Sequence, residues 1–187
     1  MSDFIAIDYG SKMAGTTVIC FAKENKLQFL QSEKKKDADA FLKKNILTFK
    51  PVKIFMDAPL SLPGVYFANG ENYFYRKCDQ AVGGMSPMFL GGLTARAMQL
   101  RAGFAAVDFY EIYPAHLVRI LFSKNKNYKK DIPVFCEILK KELPLDFFEM
   151  PQNWHQVDAA LGWLSGWRFL NNKAAIYGDQ KEGVICV

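Results

Sequence analysis

The segment IAIDYGSKMAGTTV (residues 5–18) determines the first part of the predicted fold. Residues 3–8 are rich in isoleucine and end in an aspartate, a composition that is typical of a strand. Gly10 and Gly15 enclose a tight turn, and residues 16–21 predict a second strand. Because a short turn joins the two strands, we expect them to form an antiparallel hairpin.

Downstream of this hairpin, the sequence predicts one more strand and then alternating helices and strands. The further strands are predicted at 27–31, 52–56 and 107–113, with a short strand-like piece at 183–187, and the helices at 34–47, 94–104, 115–122, 132–143 and 156–170. A long region at 58–92 is rich in Gly, Pro and aromatic residues, with a short helix predicted at 72–81. This order predicts one α/β domain over residues 1–187, with a mixed five-stranded sheet flanked by helices.

Composition limits the class of protein. The chain has 187 residues, of which 50% are hydrophobic and 14% aromatic, enough for one sizeable core. No run of about 18 apolar residues is present, and residues 1–10 lack the basic start of a secretory signal, so we expect a cytoplasmic protein without a membrane helix. The four cysteines are widely spaced, which favours reduced, structural thiols. The net charge of +5 and the lysine runs at 34–36 and 124–130 fit either a nucleic-acid binder or ordinary solvated surfaces.

Carboxylates stand where the predicted strands end. Asp8 ends the first strand, Asp57 follows the fourth, and Glu111 lies near the end of the fifth. Ligands of open α/β sheets gather at the carboxyl ends of parallel strands, and neighbouring carboxylates there repel each other unless a cation lies between them. Asp158, at the start of the last helix, is placed to add a ligand. We therefore predict a site for Mg²⁺ or Mn²⁺.

Each of these carboxylates also has a structural explanation. Asp8 suits a turn, Asp57 the start of a loop, and Glu111 an exposed strand position. Asp158 near a helix N-terminus would stabilise the helix dipole. The two histidines, His116 and His155, are expected to be ordinary helix residues.

Several motifs resemble known nucleases. Residues 5–18 resemble the first hairpin of RNase H-like nucleases, in particular the Holliday-junction-resolvase-like proteins. Other segments resemble, in the same order, a predicted RNase H-like nuclease family long labelled a domain of unknown function. These segments are MDAPLSLP (56–63), RKCD (76–79), TARAMQL (94–100), EIYPA (111–115) and VDAALGW (157–163), with GVICV at the C-terminus.

The resemblance implies an RNase H-like fold in which the first and fourth strands are adjacent. It places the catalytic set at Asp8, Asp57, Glu111 and Asp158, and the metal ligands at Asp8, Asp57 and Asp158. It also implies metal-dependent phosphodiester hydrolysis of DNA or RNA. A second acidic residue near Asp158, present in the resolvase branch, is missing here.

Substrate contacts are predicted from the cationic and aromatic residues. Arg76, Arg96 and Lys12 are candidates for phosphate binding, because guanidinium and ammonium groups suit phosphate oxygens. Thr94 is expected to cap the helix that carries Arg96. Aromatic residues at 66–75 offer rings on which bases stack, or else they form a small core of their own beneath the long region.

Two other functions fit the same sequence. Actin-like ATPases and phosphotransferases share the fold. Their first phosphate-binding loop is a similar Asp-x-Gly-Ser turn, for which residues 8–16 would serve. Those proteins clamp a nucleotide between two domains, and 187 residues allow one. A non-catalytic binding module is the other alternative. No Walker loop, GxSxG elbow or HExxH motif is present.

Overall fold

A computed structural model describes residues 3–123 and 127–187, so residues 124–126 of the second lysine run lie outside the described part. The strands are β1 (Phe4–Asp8), β2 (Val18–Lys23), β3 (Lys26–Gln31), β4 (Lys53–Asp57), β5 (Asp108–Ile112), β6 (Asp146–Phe147), β7 (Ile176–Asp179) and β8 (Gly183–Cys186). The helices are α1 (Ala38–Phe49), α2 (Lys77–Val82), α3 (Pro87–Leu90), α4 (Gly92–Ala102), α5 (Pro114–Leu121), α6 (Ile132–Leu139) and α7 (Trp154–Leu170), and Gly64–Phe67 form a 3-10 turn.

The strands form one mixed sheet with the order β6-β3-β2-β1-β4-β5-β8-β7. β1, β2 and β3 make an antiparallel meander, and β4 and β5 continue from β1 in parallel. This confirms the predicted α/β arrangement of a meander followed by parallel strands, with the first and fourth strands adjacent. The predicted number of five strands is too low, because within the described residues β6, β7 and β8 extend the sheet to eight.

Helices cover both faces of the sheet. α1 and α4 pack on one face, over a core that includes Ile5, Ile7 and Ile54. α7 lies on the other face with α5 and α6 outside it. Residues 157–166 of α7 are all buried, so the helix predicted at 156–170 is central to the fold.

Two glycines allow α7 to lie close to the sheet. A Cβ atom on Gly162 would lie 2.4 Å from Cδ1 of Ile112, and one on Gly166 would lie 2.5 Å from the ring of Phe55. These small residues therefore let α7 pack closely against β1, β4 and β5.

The long region at 58–92 contains the 3-10 turn, α2 and α3, and it passes over the sheet edge that follows β4 and β5. The predicted N-cap at Thr94 is wrong: α4 begins at Gly92, and the buried Thr94 hydroxyl donates to the carbonyl of Pro87 at 2.8 Å. All four cysteines are buried and free. Among the described residues, no helix has both the length and the apolar character that a membrane span requires.

Candidate active site

Asp8 and Asp57 lie side by side at the carboxyl ends of β1 and β4. The two residues are direct partners in the parallel register, and both line one cavity of about 280 Å³. Side chains alternate between the faces of a strand, and Phe4 and Phe55 of the same strands pack toward α7. Asp8 and Asp57 therefore point to the face that α7 covers.

The first two turns of α7 add two polar side chains to this pair. His155 Nδ1 lies 2.9 Å from Oδ2 of Asp8. Asp158 follows one turn later, on the same side of the helix. His155 was expected to be an ordinary helix residue, and the signal that identifies it is its i, i+3 spacing from Asp158.

An amide network holds this turn of α7 in place. Asn153 caps the helix, and its side chain accepts a hydrogen bond from the backbone N–H of Gln156 at 3.1 Å. The side-chain amides of Asn153 and Gln156 also donate to Oε1 of Gln31, at 2.9 and 3.1 Å. Gln31 ends β3, so the network ties the start of α7 to the same edge of the sheet that carries Asp8.

The pKa values of Asp8 and Asp57 are both raised. Burial raises the pKa of Asp8, and the nearby charge of Asp158 adds to this, while the contact with His155 opposes it. The pKa of Asp57 is raised well above its ordinary value by burial, then by the charges of Asp8 and Asp158. No other described residue makes a hydrogen bond or an ion pair with the Asp57 side chain. The site therefore concentrates negative charge that only partly finds compensation within the protein.

Asp158 is held by two consecutive residues of the loop before α6. The hydroxyl of Tyr128 donates to Oδ1 of Asp158 at 2.7 Å, and Nζ of Lys129 contacts Oδ2. In this arrangement, no group of three or more His, Cys, Asp or Glu side chains within residues 3–123 and 127–187 is placed to hold a metal ion. The three carboxylates predicted to bind metal thus lie near one edge of the sheet without forming such a group, and the loop holds Asp158.

Glu111 lines the same cavity, and its charge adds to the raised pKa of Asp57, but its side chain lies apart from the Asp8–Asp57 pair. Glu111 is in register with Met56 and points to the opposite face of the sheet from Asp57. There its carboxylate binds the guanidinium of Arg76, with N–O distances of 2.5 and 2.8 Å, and accepts the backbone N–H of Leu60 at 2.7 Å. This arrangement gives Glu111 a structural role, and a catalytic role at the Asp8–Asp57 pair does not fit it.

Arg76 is fully buried. In addition to Glu111, its guanidinium binds the carboxylate of Asp79, at 3.0 and 2.7 Å, and donates to Oγ of Ser61 at 2.8 Å. With its donors directed at these groups and no exposed surface, Arg76 is not placed to bind a substrate phosphate as predicted. It joins the long region to β5 instead.

The other two predicted phosphate contacts, Arg96 and Lys12, lie near the turn after β1 and the start of α1. Arg96 makes a two-pronged ion pair with Asp39, at 2.8 and 2.7 Å, donates to the carbonyl of Gly10 and stacks over Tyr9. The guanidinium of Arg96 therefore holds the turn after β1 in place. This position does not fit the predicted phosphate contact. Lys12 is exposed and forms a single ion pair with Asp37 at 3.2 Å, a contact weak enough to leave Lys12 as a predicted substrate contact.

An exposed aromatic surface borders the cavity beside Asp57. The walls of the cavity include Met85, Leu90 and Leu93 from the long region. Next to them, the rings of Phe74 and Phe89 are largely exposed and lie 5.6 Å apart. Tyr66, Phe67 and Tyr73 are also about half exposed. These rings are not a buried core of their own, so of the two predicted arrangements the exposed one is observed.

The two histidines are expected to titrate on opposite sides of the ordinary histidine pKa. The hydrogen bond to Asp8 raises the pKa of His155, whereas burial and then the charge of Arg119 lower the pKa of His116. Because the native pKa of His155 is raised, its contact with Asp8 stabilises the fold fully below about pH 6.5 and loses this effect as the pH rises through the native value. NMR titration of the ring protons measures the pKa values of both histidines. Asp8→Asn should lower the pKa of His155 and leave that of His116 unchanged, and a His155 pKa below that of His116 would contradict the geometry.

Similarity to known proteins is limited to solved structures. No protein-family model matches the chain, and no curated protein matches it either. Among solved structures, the chain is similar to the Thermus thermophilus RuvC structure, with 16% sequence identity and a TM-score of 0.48. The similarity covers 94% of this chain and 98% of that one. The family resemblance of segments 56–63, 76–79 and 111–115 stays a prediction.

Proposed function

We propose that this protein is a divalent-metal-dependent nuclease that hydrolyses phosphodiester bonds in nucleic acid. The observation that carries the proposal is the in-register pair of Asp8 and Asp57, on one face of the sheet, with His155 and Asp158 above them. Buried like charges are unfavourable for the fold, and clusters of groups with raised pKa values are typical of functional sites. The pair lines an open cavity, so a substrate has access to it.

The donor set suits a hard cation. Mg²⁺ in proteins is commonly held by one or two carboxylates, with water and substrate phosphates completing its shell, and Asp8 with Asp57 meets that requirement. His155 is bonded to Asp8, and Asp158 is a further oxygen donor once its loop partners release it. Bound there, Mg²⁺ or Mn²⁺ would supply a water of lowered pKa and charge stabilisation for the leaving oxygen.

We assign the substrate to single-stranded or unpaired nucleic acid. Exposed aromatic rings stack on bases with little dependence on sequence, and Phe74 and Phe89 present such rings beside the cavity. In a duplex the bases are already stacked on one another and are not free to use this surface. The formal charge of +5 is compatible with binding a polyanion.

Cleavage assays test this function. We expect slow cutting of labelled single-stranded DNA or RNA in Mg²⁺ or Mn²⁺, less cutting of a blunt duplex, and none in chelator. Asp57→Asn should abolish cleavage. Asp108→Asn is the matched control, because it removes the same charge from an exposed position at the start of β5, at the opposite edge of the sheet, where it pairs with Lys53 at 3.5 Å.

Other outcomes would contradict the proposal in different ways. Cleavage that persists in Asp57→Asn would point to a contaminating nuclease. Turnover of ATP without cleavage of any nucleic acid would favour the actin-like ATPase instead. Tight nucleic-acid binding without cleavage in either metal would favour a binding module.

A further inference from the structure

The ammonium of Lys129 lies inside the acidic site, although it was not among the predicted site residues. Its Nζ contacts Oδ2 of Asp158, while Tyr128 occupies Oδ1 of the same carboxylate. One short loop therefore holds both oxygens of a predicted metal ligand. Half of the Lys129 side chain remains exposed, so it is not locked in place by burial.

Two aromatic rings hold this ammonium in position. Nζ lies 5.2 Å from the ring centre of Tyr128 and 5.7 Å from that of Trp154, distances at which a cation is attracted to the ring faces. Trp154 belongs to the first turn of α7, immediately before His155. The backbone of Lys129 has a φ of 61°, which a residue with a Cβ atom rarely adopts. The contact is thus supported from both sides at some cost in backbone conformation.

The charge of Lys129 acts on the whole cluster. It opposes the increase in the pKa of both Asp8 and Asp57, and it lowers the pKa of His155. An ammonium at this place does for the carboxylates what a metal cation would do: it reduces the repulsion between them. A divalent cation that approaches the same carboxylates meets a positive charge already in place.

We propose that Lys129 is a built-in counter-ion of the acidic site, which a divalent cation must displace from Asp158 in order to gain that carboxylate as a ligand. The inference rests on the proposed metal-dependent function, and it adds a regulation of that function. Lys129 stabilises the protein when metal is absent and, by competition, weakens metal binding. The site then fills only when the free metal concentration is high enough to replace the lysine.

Calorimetric titration with Mn²⁺ tests this inference on the full-length protein, without any nucleic acid. Lys129→Gln is expected to bind Mn²⁺ about five- to tenfold more tightly than the unaltered protein, since tenfold corresponds to about 1.4 kcal/mol. Lys130→Gln is the matched control, because it removes the same charge from the next residue of the loop. In chelator, Lys129→Gln should melt at a lower temperature than the unaltered protein, and Mn²⁺ should raise its Tm by more.

A second variant covers the case in which Lys129→Gln does not fold. Tyr128→Phe keeps every charge and frees Oδ1 of Asp158, so Mn²⁺ affinity should rise by about twofold, the effect of losing one modest hydrogen bond. Equal or weaker Mn²⁺ binding by Lys129→Gln, or an equal gain in Lys130→Gln, would overturn the inference and leave the metal site standing. Absence of Mn²⁺ binding in every variant would overturn both this inference and the metal dependence of the proposed function.

Discussion

Arg76→Met is expected to lower the free energy of unfolding by about 3–5 kcal/mol, the loss typical of breaking a buried ion pair from one side. Two carboxylates, those of Asp79 and Glu111, bind the guanidinium and have little exposed surface. Methionine has a similar length but no charge and no donors. The variant therefore leaves two negative groups in the protein interior without their partner.

The response of the variant to pH follows from Glu111. Burial raises the pKa of Glu111, and Arg76 opposes this increase. Without Arg76 the native pKa rises further, so the variant should lose stability as the pH increases from about 4.5, the ordinary glutamate value, through the new native pKa. Chemical denaturation at several pH values measures this slope. A variant whose loss is independent of pH would contradict the account.

Two comparisons separate the buried network from a general effect of charge. Lys77→Met removes a positive charge from the adjacent, exposed residue and should leave the free energy of unfolding nearly unchanged. Adding Glu111→Gln to Arg76→Met removes one unpaired charge, so the double variant should recover part of the loss. If the double variant is less stable than the sum of the two single losses, Arg76 and Glu111 do not act as a pair.

Much of the fold follows from local sequence patterns. The five central strands were predicted to within about two residues, because most are short apolar runs bounded by Gly, Pro or Asp, and β3 alternates between apolar and polar residues. β6 and β7 were missed for physical reasons. β6 has two residues, too few for any alternation, and β7 has four residues with Gly178 among them. Both are edge strands, fixed by pairing with β3 and β8 and not by their own composition.

The site could be predicted less completely than the fold. Strand ends identified Asp8 and Asp57, since parallel neighbours place their last residues at one edge. Glu111 was assigned to the site only because it lies near the end of β5. The alternation of side chains along β5 would have placed it on the opposite face of the sheet from Asp57. The burial of Arg76 could not be predicted, because it depends on Glu111, which is 35 residues away, as well as on the nearby Asp79. Lys129 reaches the site because of the path of the loop before α6. Hydrophobic periodicity predicts helices and strands but not the path of a loop.

Asp57→Asn is expected to have opposite effects on stability in the absence and in the presence of metal. In chelator at pH 7, the variant should unfold at a temperature about 3–6 °C higher than the unaltered protein, equivalent to about 1–2 kcal/mol. The reason is that Asp57 has no partner among the described residues and lies beside Asp8. With Mn²⁺ at about 100 times its Kd, the unaltered protein should gain about 2.7 kcal/mol, and the variant little or none.

The pH dependence has a defined sign. The pKa of Asp57 is raised by burial first and by neighbouring charges second, so the native state binds this proton more tightly than the unfolded chain does. Asp57 therefore does not destabilise the metal-free protein below about pH 3.8. As the pH rises from there through the native pKa of Asp57, the protein loses stability. Asparagine does not titrate, so this part of the slope should vanish in the variant.

The order of stability of the unaltered protein and Asp57→Asn should reverse when Mn²⁺ is added. This reversal distinguishes a metal ligand from a structural residue. If Asp57 only ended its strand and capped the following loop, asparagine would lower the stability slightly in both conditions and the order would not reverse. If it were repelled by Asp8 without binding metal, the variant would be more stable in both. Asp108→Asn, with its exposed carboxylate paired to Lys53, should follow the unaltered protein throughout. Only a carboxylate that disfavours the metal-free fold and binds the cation gives higher stability in chelator and lower stability in Mn²⁺ when it is replaced.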